Sequence, residues 1–190
     1  MGARPVSADP RSLRSRDQIE AALHRLGREG TLDSISALSA AAGVTRATFY
    51  NHFDSLEEAA WYAISQSFEH NLARDIEERR SGVAPDVVGI GSLRRNVELL
   101  RDENQLVRLA ESYDDDSGLP GLAGIVLALM RRFRQNAADS ADGPTEAEDT
   151  YAAAGLYALM AIGARGTDDP EHVATVAYSL LPQSMLRLNF

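Results

Sequence analysis

Between Val44 and Phe53 the chain gathers Thr45, Arg46, Thr48, Tyr50, Asn51 and His52, with no carboxylate among them. Hydroxyls, an amide, an imidazole and a guanidinium all donate hydrogen bonds. Donors collected without acids suit contact with phosphate oxygens and base edges. Arg46 is the candidate for a base contact, since its two-pronged fork matches guanine. Elsewhere the chemistry is thin. The four histidines, at 24, 52, 70 and 172, form no pair at metal spacing. Cysteine is absent, which removes thiolate ligands and redox switching. Adjacent acids such as Glu57 and Glu58 fall on different helix faces. Asp114, Asp115 and Asp116 are consecutive and read as a solvated loop, because neighbouring carboxylates do not converge on an ion unless the loop wraps it. No glycine-rich phosphate loop follows a strand. The expectation is a protein that is not an enzyme, without metal or cofactor.

Two short helices must hold the donor set. Ser34 reads as an N-cap before Ile35, and Ile35, Leu38 and Ala42 recur at helical spacing. Gly43 supplies the left-handed turn, and Thr45 caps the second helix by accepting from the Thr48 amide. Leu38, Ala42, Val44 and Phe49 are expected inside. Ser39 marks a close crossing where only a small residue fits. Arg46, Ala47, Thr48, Tyr50 and Asn51 remain outside.

The run from Ala42 to Phe53, AGVTRATFYNHF, resembles the DNA-binding signature of the tetracycline-repressor (TetR) family. The likeness extends upstream to the helix around Ile19–Ala22 and downstream through Ser55–Ala59, about the first third of the chain. It implies an all-α fold: a three-helix, helix-turn-helix DNA-binding domain at 1–54, and a helical ligand-binding and dimerisation domain at 55–190. It implies that Thr45, Thr48, Tyr50 and His52 hold phosphates or pack near them, with Asn51 at the rim and Ser34 and Ala47 on the same surface. The family usually carries a lysine after the serine that follows His-Phe, where it touches a phosphate. This chain has Leu56 there, so one backbone contact is expected to be missing.

The net charge of −9 argues against a DNA binder until the chain is divided. Through Phe53 there are seven Arg against five acids, a balance of +2; beyond it, twelve Arg face twenty-three acids, a balance of −11. All nineteen basic residues are Arg. The acidic part is expected to face away from DNA, where salt screens repulsion beyond roughly 8–10 Å. No apolar run reaches the roughly 18 residues of a membrane span, and the N-terminus lacks an apolar signal core, so a soluble, cytoplasmic protein is expected.

In chain order, residues 1–14 read as a mobile polar arm, and Arg4, Arg11, Arg14 and Arg16 lie close to the DNA-binding unit, placed for phosphate or minor-groove contact. A helix is expected over 16–29, opened by a Ser15–Gln18 capping box and closed by Gly30. His24 is expected on its surface. Ser55 and Glu58 form a second capping box opening a long helix to about Arg80, with Ala60, Ile64, Phe68, Leu72 and Ile76 inward. Helices follow at 86–101, 103–112 and 119–135. Arg131, Arg132 and Arg134 at the end of the last suit the helix dipole and solvation. After a polar loop at 136–144, a small-residue helix covers 145–165, and a final one must be kinked or ended by Pro182.

The resulting expectation is a ligand-responsive transcriptional regulator, a repressor. Its partners would be double-stranded DNA, a small apolar effector and a second copy of the chain. Trp61, Phe68, Met130, Phe133 and Tyr157 are the candidate pocket residues. Ala154, Ala158, Ala161, Val173, Val176 and Leu180 are the candidate dimer contacts. A helical ligand-binding or protein-interaction module without specific DNA binding is the alternative.

Overall fold

Asp9 sets the first helix. Its carboxylate accepts from the Arg11 amide at 3.0 Å, and Pro10 follows at the first helical position, where its missing N–H costs nothing. Helix α1 (Pro10–Glu29) therefore begins six residues before the expected start. Ser15 is not a cap but lies inside the helix, donating its hydroxyl to Ser12 O at 2.9 Å. Residues 9–14 of the expected arm are cap and helix. In this computed structural model the described residues are 9–136 and 145–186; the rest of the expected arm and most of the 136–144 loop lie outside them. Gly30 ends α1 at φ 69°, as the pattern requires.

Every regular element among the described residues is a helix. After α1 come α2 (Ile35–Ala42), α3 (Arg46–Tyr50), α4 (Leu56–Arg80), α5 (Pro85–Asp102), α6 (Asn104–Glu111), α7 (Ala123–Gln135), α8 (Glu146–Arg165), α9 (Pro170–Ser179) and α10 (Gln183–Leu186). Helix α7 starts four residues later than its apolar run suggests, because Gly118 and Gly121 both take positive φ and hold the preceding segment in turns. None of these helices is long and apolar enough to cross a membrane.

The chain divides into two compact units. One holds the described residues up to Ile64 together with Glu103–Tyr113; the other holds Ser65–Asp102 and the described residues from Asp114 onward. The break thus falls within α4, and α6 groups with the N-terminal helices. The sequence boundary at 54/55 had been drawn from motif alone.

In the first unit, Ile19, Leu23, Leu38 and Phe49 are fully buried. Burying such side chains contributes roughly 1.5–3 kcal/mol each. Helix α6 packs on α1 at Gly27, where a Cβ would lie 2.9 Å from the Leu106 Cβ. The buried Glu103 carboxylate accepts from Arg28 Nη1 and pairs with His24 Nδ1, both at 2.6 Å. His24 is therefore not a surface residue; its ring is 16% exposed. Gln105 accepts from Leu32 N at 3.0 Å and donates to Leu32 O at 3.1 Å, closing the same contact with its amide.

In the second unit, α5 packs against α8 and α9, and α7 against α8. Gly163 admits Val173, whose Cγ1 would lie 2.6 Å from a Cβ there. Arg101 Nη2 donates to Gly163 O at 2.9 Å and Asp168 O at 2.7 Å. Thr145 caps α8 in a full capping box with Glu148.

Candidate nucleic-acid interface and effector cavity

The donor set sits on a short, firmly fixed helix. Ser34 Oγ accepts from Ala37 N at 3.1 Å, Gly43 turns the chain at φ 68°, and Thr45 Oγ1 accepts from Thr48 N at 3.0 Å. Leu38 and Phe49 are fully buried, and Ser39 is buried with its hydroxyl making no hydrogen bond among the described residues. Val44 is only half-buried. Phe49 also anchors a ladder of rings: Tyr50 meets it edge-on at 5.6 Å, Phe53 lies at 5.7 Å, and Tyr62 continues from Phe53 at 5.4 Å. Five helical residues could not hold their own conformation in water, so this packing is what fixes the outer face.

On that face Ser34, Thr45, Arg46, Ala47, Tyr50 and Asn51 are exposed, while Thr48 and His52 are half-buried. The Thr45 and Thr48 hydroxyls lie 2.8 Å apart. Arg46 has no hydrogen-bond or ion-pair partner among the described residues. His52 Nε2 is 2.8 Å from the Ser15 hydroxyl. Burial, and then the Arg16 charge, hold the His52 imidazole below its ordinary value of 6.5.

Arg16 is a member of this surface that sequence reading placed only in the general neighbourhood. Its guanidinium lies 3.9 Å from the centre of the Tyr62 ring and 5.7 Å from that of Phe53. Its Nε is buried without a partner among the described residues. Stacking orients the cation without consuming its donors. Leu56 is half-buried at the first position of α4 and brings no charge to the surface. Glu58, three residues after Ser55, accepts from the Asp54 amide, and the Ser55 hydroxyl accepts from Glu58 N at 3.0 Å.

The second unit contains a cavity of about 110 Å³ among α4, α5, α7, α8, α9 and the residues after α9. Of the five expected pocket residues, Phe68, Met130 and Phe133 line it. Trp61 and Tyr157 do not. Trp61 belongs to the first unit, its ring 5.6 Å from Tyr113, and Tyr157 fills the space left open by Gly121. The wall has a polar stretch that the aromatic pattern did not suggest: Asp75 and Arg79 from α4, Ser92 and Asn96 from α5, and Tyr178 from α9. Their signal was present, since Gly89, Ser92 and Asn96 interrupt the apolar stripe of α5 at helical spacing. Arg79 Nε donates to Asp75 Oδ1 at 2.5 Å, both side chains being nearly inaccessible. Burial raises the Asp75 carboxyl above its usual range, and the Arg79 hydrogen bond opposes the shift.

The six candidate dimer residues divide. Ala161 and Val173 are buried within the unit, Ala154 and Val176 are half-buried, and Ala158 and Leu180 are exposed. Tyr151 and Ile162 are also exposed on α8. In the acidic loop, Asp114 accepts from Asp116 N and Asp115 from Ser117 N, so these carboxylates serve their own backbone. No group of three or more His, Cys, Asp or Glu among the described residues is placed to hold a metal ion. No protein-family model and no curated protein matches the chain.

Proposed function

We propose that the chain is a ligand-responsive DNA-binding transcriptional regulator of the TetR type, a repressor that binds a palindromic operator as a homodimer. The observation that carries the reading is the Thr45–Asn51 surface, exposed, free of carboxylates and pinned from beneath by Phe49. Arg46 enters the major groove and contacts guanine. Thr45, Thr48, Tyr50 and His52 meet the backbone, with Arg16 beside them. Two copies place their recognition helices about one helical turn (~34–36 Å) apart. The exposed side of α8 around Ala158 is the proposed contact between copies. The chain's work is binding, and no catalytic step belongs to it.

A small effector occupies the cavity of the second unit. Helix α4 contributes Leu56–Ile64 to one unit and Ser65–Arg80 to the other, and it lends Phe68, Asp75 and Arg79 to the cavity wall. Effector binding therefore biases the helix that follows the recognition segment, shifting the population toward a conformer with lower operator affinity.

Leu56 favours a second reading, a helical ligand-binding or protein-interaction module that has lost specific DNA binding. One experiment separates the two. Fragments are selected from a genomic pool with the full chain, and their affinity is measured across a salt series. A regulator enriches a palindromic site, and its log affinity falls with log salt at about −0.9 per phosphate contact. Equal, salt-insensitive affinity for selected and random duplexes leaves only the second reading.

A further inference from the structure

Two polar groups on the cavity wall have open hydrogen-bonding positions among the described residues. The Ser92 hydroxyl makes no hydrogen bond among the described residues. Asn96 accepts from Asn71 Nδ2 through its Oδ1 at 2.6 Å, which turns its own Nδ2 donor away from Asn71 and leaves it without an acceptor among the described residues. Both residues line the cavity, and Ser92 is buried. They stand four apart on α5, one above the other on a single helix face. Asn96 is half-buried; two hydrogen-bonding groups left open side by side on the polar stretch of the wall mark a place for a ligand atom.

Charge narrows the ligand class. Asp75 and Arg79 neutralise each other at 2.5 Å. Arg79 also donates to Pro85 O at 3.1 Å and stacks 5.1 Å from the centre of the Phe133 ring. A carboxylate ligand would sit beside Asp75, against a pair whose charges already cancel. An ammonium would find the carboxylate already paired. Desolvating either charge then goes uncompensated. Size narrows it further. An apolar cavity of about 150 Å³ accepts benzene; this one is about 110 Å³. The flexible Met130, Met160 and Met185 side chains on its wall can yield the remainder.

We propose that this cavity binds a neutral, single-ring-sized molecule carrying one hydrogen-bonding oxygen, a hydroxyl or ketone, held between Ser92 and Asn96. The inference rests on reading the cavity as the effector site, and it replaces a wholly apolar effector with one that has a polar end.

The test titrates the full chain with phenol, toluene and benzoate, three rings that differ at one substituent, followed by ligand-observed NMR. Comparison of the native chain with Ser92→Ala isolates the hydrogen bond. The preference for phenol over toluene falls about five- to tenfold in Ser92→Ala, while toluene binding holds or tightens. Leu129→Trp, which fills the cavity, abolishes binding of both. An unchanged phenol-to-toluene ratio in Ser92→Ala overturns the proposal. So does benzoate binding tightest, survival of binding in Leu129→Trp, or no binding of any probe up to its solubility. Duplex affinity with and without phenol is read separately. A Ser92-dependent ratio with no effect on duplex affinity removes the regulatory reading and leaves the ligand class standing.

Discussion

Arginine is used in opposite ways in the two units. At the end of α7, Arg131, Arg132 and Arg134 crowd together, and each has a carboxylate: Glu146 at 3.1 Å, Glu69 at 2.8 Å, and Asp149, which grips Arg134 through both oxygens. On the α3 surface, Arg46 makes no hydrogen bond or ion pair among the described residues, and Arg16 stacks on aromatic rings, with Glu20 near it but not in an ion pair. The dense cluster is neutralised by acids of its own unit, and the sparse pair makes no ion pair among the described residues. Counting basic residues alone points to the end of α7. Counting the acids around them points to the α3 surface as the one to test.

The largest expected effect breaks the architectural half. Asp149→Ala leaves Arg134, 16% exposed, without its partner. A buried pair broken on one side costs about 3–5 kcal/mol, so chemical denaturation of the second unit should shift markedly, while duplex affinity of the folded fraction stays the same. If stability hardly moves, the contrast between the units is empty.

Arg46→Ala strikes the other half. It should cost about 1–3 kcal/mol in affinity for a selected site and much less for random duplex, with the melting temperature unmoved because the exposed side chain makes no hydrogen bond or ion pair among the described residues. Equal losses on both duplexes would make Arg46 a phosphate contact only. Arg16→Gln should lower affinity for every duplex alike and reduce the magnitude of the salt slope by about one. A shift in sequence preference instead would move Arg16 from backbone to base contact.

The smallest effect is pH-dependent. His52 is held below its ordinary value, so the folded unit binds fewer protons than the unfolded chain in the window just under 6.5. Its contribution to stability is complete above that value and is lost as pH falls through the lowered one. The native chain should lose stability on acidification more steeply than His52→Gln. Identical profiles would mean that burial beside Arg16 does not keep the ring neutral.

Much of the first unit was legible because its determinants are local. Ser34, Gly43 and Thr45 each act within four residues, and the structure places each in the expected role. Helix α1 was misread at its start because Ser15–Gln18 offered a plausible cap while Asp9–Pro10, the stronger signal, lay in a stretch dismissed as polar. His24 looked like a surface residue because its partner, Glu103, lies 79 positions away. The same limit applied to the cavity. Phe68, Met130 and Phe133 could be guessed from size and helix face. Trp61 could not be excluded without knowing that Tyr113 meets it. Nor could the Arg134–Asp149 pair be seen, because a loop and a helix turn separate its members in sequence.

The insertion of Glu103–Tyr113 into the N-terminal unit bears on how that unit could be handled in isolation. A clone ending anywhere in α4 would contain all of α2 and α3 and still lack Glu103, Gln105 and Leu106. Arg28 and His24 would lose their shared acid, the Leu32 backbone its amide clasp, and Gly27 would face water. A working miniature would need the α6 peptide restored, either grafted through a designed linker or added in trans.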